Sequence, residues 1–204
     1  MKTLVKPMGR GYQTNCYILI KNNSSIVIDP GIGAIEWIAK NAPNPLAALN
    51  THGHFDHTFS DAAAQRELKI PVYIRQEDGF MLKNDYFNMN QEPCEADYLV
   101  ANEEQIEIGE FSFRFAHFPG HTPGCCMIEI DECVFSGDFI FDRCVGRYDF
   151  PASSAQDMKR SLNRFMALYG ADGKDDRAIY PGHGAPTSIQ KARSFLPYFI
   201  DEIV

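Results

Sequence analysis

Residues 50–57 read Asn50-Thr51-His52-Gly53-His54-Phe55-Asp56-His57. Three imidazoles and one carboxylate within six residues form a dense supply of metal donors. The run before them, Leu46-Ala47-Ala48-Leu49, is short and apolar and reads as a buried strand. The run after them, residues 58–68, carries apolar positions at Phe59, Ala62, Ala63 and Leu68 and reads as a helix. The donors therefore belong to a strand-to-helix loop, and ligands of open α/β sheets gather at such carboxyl ends of strands.

Two further loops repeat the theme. Phe118-Pro119-Gly120-His121-Thr122-Pro123-Gly124 sets a histidine between turn-forming residues, and Tyr180-Pro181-Gly182-His183-Gly184 does so after another apolar run. Five of the six histidines thus sit in three strand-end loops, which scattered surface histidines would not do. A carboxylate, Asp138, follows the strand-like run Cys133-Val134-Phe135-Ser136-Gly137. The sixth histidine, His117, precedes the Pro-Gly-His turn and reads as structural or supporting.

The strands expected are 16–20 and 25–28 (a hairpin), 46–49, 71–74, 105–109, 111–115, 125–130, 133–136 and 177–180. The helices expected are roughly 34–41, 58–68, a turn or two in 76–83, and 156–169. The last has the clearest apolar stripe, through Met158, Leu162, Phe165, Met166 and Tyr169. The end, 189–204, reads as a helix or two short turns around Pro197. Residues 84–101 lack periodicity and read as either a cover over the site or a surface excursion. The pattern predicts an α+β fold of two face-to-face sheets with helices outside, forming one domain over 1–204.

A chain of 204 residues suits one domain able to bury roughly 70 per cent of its extended surface. The formal net charge of -8 argues against a nucleic-acid partner. No apolar run reaches the ~18 residues that span a bilayer, and the N-terminus lacks a signal-peptide core. A cytoplasmic protein with no membrane partner is expected, with self-association left open. The six cysteines include no Cys-x-x-Cys pair and read as free thiols.

His52 and His54 are two apart and can reach one ion from an extended segment. His121 completes three nitrogens there. Asp56 and His57 are placed for a second ion with His183, and Asp138 is the natural bridge between the two. Such paired ions lie roughly 3.5 Å apart and bring a shared water's pKa from about 15.7 to near 7, which makes a hydroxide nucleophile. Nitrogen and oxygen donors without thiolate suit two divalent ions, zinc first, with iron or manganese as alternatives. Asp56 and Asp138 are accordingly the candidate catalytic carboxylates, and Asp29 reads equally as a supporting acceptor or a turn residue.

Thr51-His52-Gly53-His54-Phe55-Asp56-His57 resembles the Thr-His-x-His-x-Asp-His signature of the metallo-β-lactamase superfamily, and Gly120-His121-Thr122, Gly137-Asp138 and Pro181-Gly182-His183-Gly184 resemble its later motifs in order. The chain looks most like glyoxalase II-like hydrolases, through Pro119–Gly124 and Gly146-Arg147-Tyr148-Asp149-Phe150-Pro151. That resemblance implies an αββα sandwich and the same ligand assignment. It also implies hydrolysis of a small-molecule thioester, S-D-lactoylglutathione or a related hydroxyacyl thioester. Full-length glyoxalase II enzymes carry a further helical domain, whereas about twenty residues follow His183 here, which resembles the short bacterial type.

Arg147 and Tyr148 are the candidate substrate contacts, with an Arg147 salt bridge to Asp142 or Asp149 as the alternative for Arg147. Gly53 leaves room either for a substrate or for a tight loop. Competing activities are a single-iron persulfide dioxygenase and a lactonase. A diiron redox or interaction protein is the non-enzyme alternative.

Overall fold

The structure, a computed structural model, describes residues 1–203. Two six-stranded sheets face each other. The first has the order β1 (Lys2–Met8), β2 (Thr14–Lys21), β3 (Ser24–Ile28), β4 (Pro45–Leu49), β5 (Val72–Arg75) and β6 (Tyr98–Val100). Beginning from its sequence-terminal edge, the second has β14 (Thr187–Ser188), β13 (Ala178–Pro181), β10 (Cys133–Gly137), β9 (Cys126–Ile130), β8 (Phe111–His117) and β7 (Ile106–Ile108). A small ribbon of β11 (Ile140–Phe141) and β12 (Cys144–Val145) follows β10.

Burial explains the layering. Tyr17, Leu19, Ile26, Ile28 and Leu49 meet Phe111, Phe113, Phe115, Ile128 and Phe135 between the sheets. The alternate residues Cys16, Ile18 and Val27 face the other way, onto α1 (Ala34–Asn41). Strands buried on both faces read as continuous apolar runs, as these do. After the short α4 (Gly79–Lys83), α5 (Ala155–Leu168) and α6 (Ile189–Glu202) lie behind the second sheet and cover Phe118, Val134, Phe139 and Ile179. The expected αββα sandwich is thus the observed one. Among the described residues, no helix is long and apolar enough to cross a membrane.

Two local expectations are corrected. First, β1 was not foreseen. It is an edge strand, half exposed and carrying Lys2, Lys6 and Pro7, so it lacks the buried apolar signal of an inner strand. Second, residues 58–68 are not one helix. α2 (Phe55–Thr58) ends, α3 (Asp61–Ala63) begins, and a wide π-type turn follows over Ala64–Leu68. Ser60 causes the break: its N–H donates to the Pro30 carbonyl at 2.9 Å and its Oγ to Gly31 at 2.7 Å, so the backbone bond that would continue α2 is spent elsewhere. Of the two readings of the chain's end, the single helix is the observed one. α6 runs through Pro197 because Ile189, Ala192 and Leu196 bury one stripe against the core behind the second sheet, which offsets one lost backbone bond.

Strand direction places the site. β3 and β4 run parallel, as do β10 and β13, while β8 is separated from β10 by the antiparallel β9. The carboxyl ends of β3, β4, β8, β10 and β13 are followed by Asp29, the 50–57 loop, His121, Asp138 and His183 respectively.

Candidate metal centre

His52, His54 and His121 bring one ring nitrogen each to a common point, with ligand atoms within 4.8 Å of one another. Their ring centroids are 4.8, 4.9 and 4.4 Å apart. Asp56, His57 and His183 form a second such group, and Asp138 groups with His52 and His57. Asp138 lies between the sets: Oδ1 is 3.3 Å from His57 Nε2, and Oδ2 is 3.5 Å from His121 Nε2 and 3.4 Å from His183 Nε2. The structure therefore brings all seven expected donors together.

The far side of each ring shows which nitrogen is free. His57 Nδ1 donates to Asp29 Oδ2 at 2.9 Å, His121 Nδ1 to the Arg147 carbonyl at 2.7 Å, and His183 Nδ1 to the Tyr12 carbonyl at 3.0 Å. Thr51 Oγ1 donates to Asp29 Oδ2 at 2.7 Å, which leaves it to accept from His52 Nδ1 at 3.1 Å. These partners can only accept, so each Nδ1 keeps its proton and each Nε2 is the nitrogen that faces inward. Asp29 is thus a supporting acceptor, as one of the two readings of it had it.

Four buried nitrogens, Nε2 of His52, His54, His57 and His121, have no hydrogen-bond partner, and neither does Asp138 Oδ1. Buried polar atoms are seldom left unpaired, and here they share one small volume. A pair of divalent ions would satisfy them, so the residues present suit the cofactor that the donor set implies.

Electrostatics divide the cluster. Burial pulls His57 and His183 down, but Asp56 and Asp138 outweigh it and raise both, His183 to about 9, so these two carry protons that a bound ion would displace. Burial pushes His52 and His54 down, His54 to about 3, with neighbouring histidines adding to the effect, and burial also lowers His121. These imidazoles are held neutral, the ligating form. Burial opposes charge on Asp138 and Asp56, yet His57 and His183 outweigh it and hold both below the usual range, Asp56 at about 2. Thr14 Oγ1 also donates to Asp56 Oδ2 at 2.6 Å.

Glycine is required where the two sheets close on the cluster. A Cβ on Gly182 would stand 2.2 Å from Asp138 Oδ1 and 2.6 Å from His57 Cε1. Gly53 serves the loop and not a substrate: its Cβ would run into Met81 and Asp78, 2.8 and 3.1 Å away. Asp78 itself carried no signal in the sequence. Its carboxylate accepts from Gly53 N at 2.8 Å, Thr122 Oγ1 at 2.6 Å and Gly124 N at 2.6 Å, tying the 50–57 loop to the His121 loop.

The outer expectations fare differently. Arg147 closes its fork on Asp149, at 2.8 and 2.9 Å, which is the salt-bridge alternative. It still reaches the cleft beside the cluster, whereas Tyr148 does not line that cleft and packs against the core under α5 and α6. A tyrosine ring finds more apolar contact there than over the solvent-facing mouth. The 84–101 stretch contributes Phe87 and Met89 to the cleft, so part of it does cover the site. His117 lies apart, its Nε2 donating to the Pro123 carbonyl at 2.7 Å.

The family model described as the Metallo-beta-lactamase superfamily matches residues 9–183. A Bacillus subtilis protein named as the probable metallo-hydrolase YqgX is 26% identical, covering 97% of each chain. Among solved structures, the BLEG-1 B3 metallo-beta-lactamase is 28% identical with a TM-score of 0.84, covering 97% of this chain and 99% of that one. A structure of TTHA1623 in a di-iron-bound form is 27% identical with a TM-score of 0.77, covering 96% and 99%.

Proposed function

The chain belongs to the metallo-beta-lactamase superfamily, and from that premise we propose that it hydrolyses thioesters, with hydroxyacyl thioesters such as S-D-lactoylglutathione as the reference substrates. The observation that carries this is the set of orphaned atoms: five buried donors without partners, aimed at one volume beside an open cleft. A closed structural site would not face a cleft of about 690 Å³.

His52, His54 and His121 would hold one divalent ion, Asp56, His57 and His183 the other, with Asp138 between. When bound, such a pair supplies Lewis acidity to a carbonyl oxygen and makes water a nucleophile at neutral pH. The reaction adds the elements of water across the C–S bond: a C–O bond forms, the C–S bond breaks, and the acid and thiol are released. Asp56 and Asp138 are the two carboxylates on the cleft wall, so the proton surrendered by water passes to one of them. The thiolate leaves without a strong acid because thiol pKa values are near 8.5. Asp29, the Tyr12 carbonyl and the Arg147 carbonyl keep the imidazoles aimed throughout.

The test is hydrolysis of S-D-lactoylglutathione by metal-analysed protein beside His54→Ala. Two ions per chain and thioester cleavage are expected, with both reduced in the variant. One iron per chain with oxygen uptake and no cleavage would overturn the reading.

A further inference from the structure

The cleft beside the cluster is walled by aromatic rings from four separate segments. Tyr12 and Phe55 meet edge-on at 5.1 Å, and Phe55 and Phe87 lie 5.9 Å apart. Phe87 stands 5.0 Å from His54, and Phe150 stands 5.6 Å from His54 and 5.9 Å from His121. Met89 adds a flexible thioether to the same wall. These rings come from the loop after β1, the start of α2, the 84–101 stretch and the loop before α5. Independent segments converge there, so the wall is a built surface and not one exposed helix face.

The cleft's charge is concentrated at the ligand cluster, in Asp56, Asp138 and His183. Away from that cluster, Arg147 is the one charged side chain among the described residues that line the cleft, and its fork is already bound to Asp149. Its guanidinium lies 4.1 Å over the Phe150 ring, so it serves to hold that wall in place. A substrate whose arm carries carboxylates or phosphates would find no free Arg or Lys side chain to receive them along the wall away from the ion site, inside a protein of net charge -8. An apolar or aromatic group would bury itself between Phe87 and Phe150, next to His54 and His121.

Resting on the thioester reading above, we propose that the preferred substrate is an uncharged thioester bearing an aromatic or comparably sized apolar arm, bound between Phe87 and Phe150. S-D-lactoylglutathione, whose thiol half carries two carboxylates and an ammonium, is then a poorer substrate. The reaction is the same hydrolysis and needs no further reactant.

Four compounds test this on metal-loaded protein: ethyl thioacetate, the same thioester with a phenyl ring added on its acyl side, the same with the ring on its thiol side, and S-D-lactoylglutathione. At least one ring-bearing compound should exceed ethyl thioacetate in kcat/KM by roughly ten-fold, the gain expected from burying a ring, and should exceed lactoylglutathione as well. Phe87→Ala and Phe150→Ala, checked for metal content, should each cut that ratio about three-fold or more. Binding is read separately by calorimetry with the inert thioethers S-benzyl- and S-methyl-N-acetylcysteamine, of which the benzyl compound should bind roughly ten-fold more tightly.

A ratio under about three-fold, or lactoylglutathione as the best of the four, overturns the aromatic-arm proposal and leaves the hydrolase standing. If no thioester is cleaved, the hydrolase reading falls and calorimetry decides the cleft: equal binding of the two thioethers overturns the proposal, and tighter benzyl binding sustains the apolar-arm preference.

Discussion

Asp29 Oδ2 accepts the Nδ1 proton of His57 at 2.9 Å, and both side chains are buried. The same oxygen takes the Thr51 hydroxyl, and Oδ1 takes the Thr51 N–H at 2.8 Å. One carboxylate from the end of β3 therefore fixes both the 50–57 backbone and the orientation of His57. Asp29→Asn keeps the size and the left-handed backbone (φ 50) that asparagine tolerates, but turns a donor toward a donor. Supporting partners of ligating histidines are worth 10–100-fold in metal affinity. A loss of about that size is expected in competition with a chromogenic chelator, with the fold retained by circular dichroism.

Gly182→Ala should disable the centre from the opposite sheet. The added methyl meets Asp138 and His57, while the Gly182 backbone is pinned by Gly137 and Asn15 at 2.8 and 2.7 Å. Neither side can retreat without separating the sheets. Metal analysis should find fewer than two ions per chain, and thioester hydrolysis should fall roughly 100-fold or more, since small misplacements of reacting groups cost about that much.

Chelation should soften the whole protein. His57, His121, Asp56 and Asp138 are buried together, so removing the ions leaves their charges and lone pairs to each other. A ligand at 100 times its Kd adds about 2.7 kcal/mol of stability, and each kcal/mol shifts Tm by about 2–4 °C in a chain of this size. Metal-stripped protein should melt about 5–10 °C lower, and restored zinc should recover the difference. An unchanged Tm would argue against ions bound by these residues.

Asp78 gives a pH dependence of known sign. Burial drives its carboxyl up to about 6, against the pull of Thr122, Gly124 and Gly53. Its unfolded value is near 3.9. Between those limits the folded protein holds a proton that the unfolded chain has lost, so this group's stabilisation is complete below pH ~3.9 and is lost as pH rises through about 6. Asp78→Asn cannot ionise. In chelator-treated protein, the deficit of the variant relative to the native chain should shrink by on the order of 2 to 3 kcal/mol from pH 4 to 6.5 in urea unfolding. A constant deficit would mean that Asp78 titrates normally.

The chemistry of the centre was legible in the sequence because donor identity and strand-end placement are local. A histidine after a Pro-Gly turn, or two histidines at extended spacing, announce themselves without neighbours. Strands of the inner sheets were legible for the same reason, as short apolar runs between turns. What tertiary structure alone decided depends on through-space partners far apart in the chain. Ser60 breaks a helix because Pro30 and Gly31 take its donors. Asp78 matters because Gly53 and Thr122, 25 and 44 residues away, converge on it. Phe87 and Phe150 become two walls of one cleft beside His54 only when separate loops fold over the sheet edge. Residue type sets what a side chain can bind, whereas packing sets which groups are close enough, and dry enough, for it to bind them.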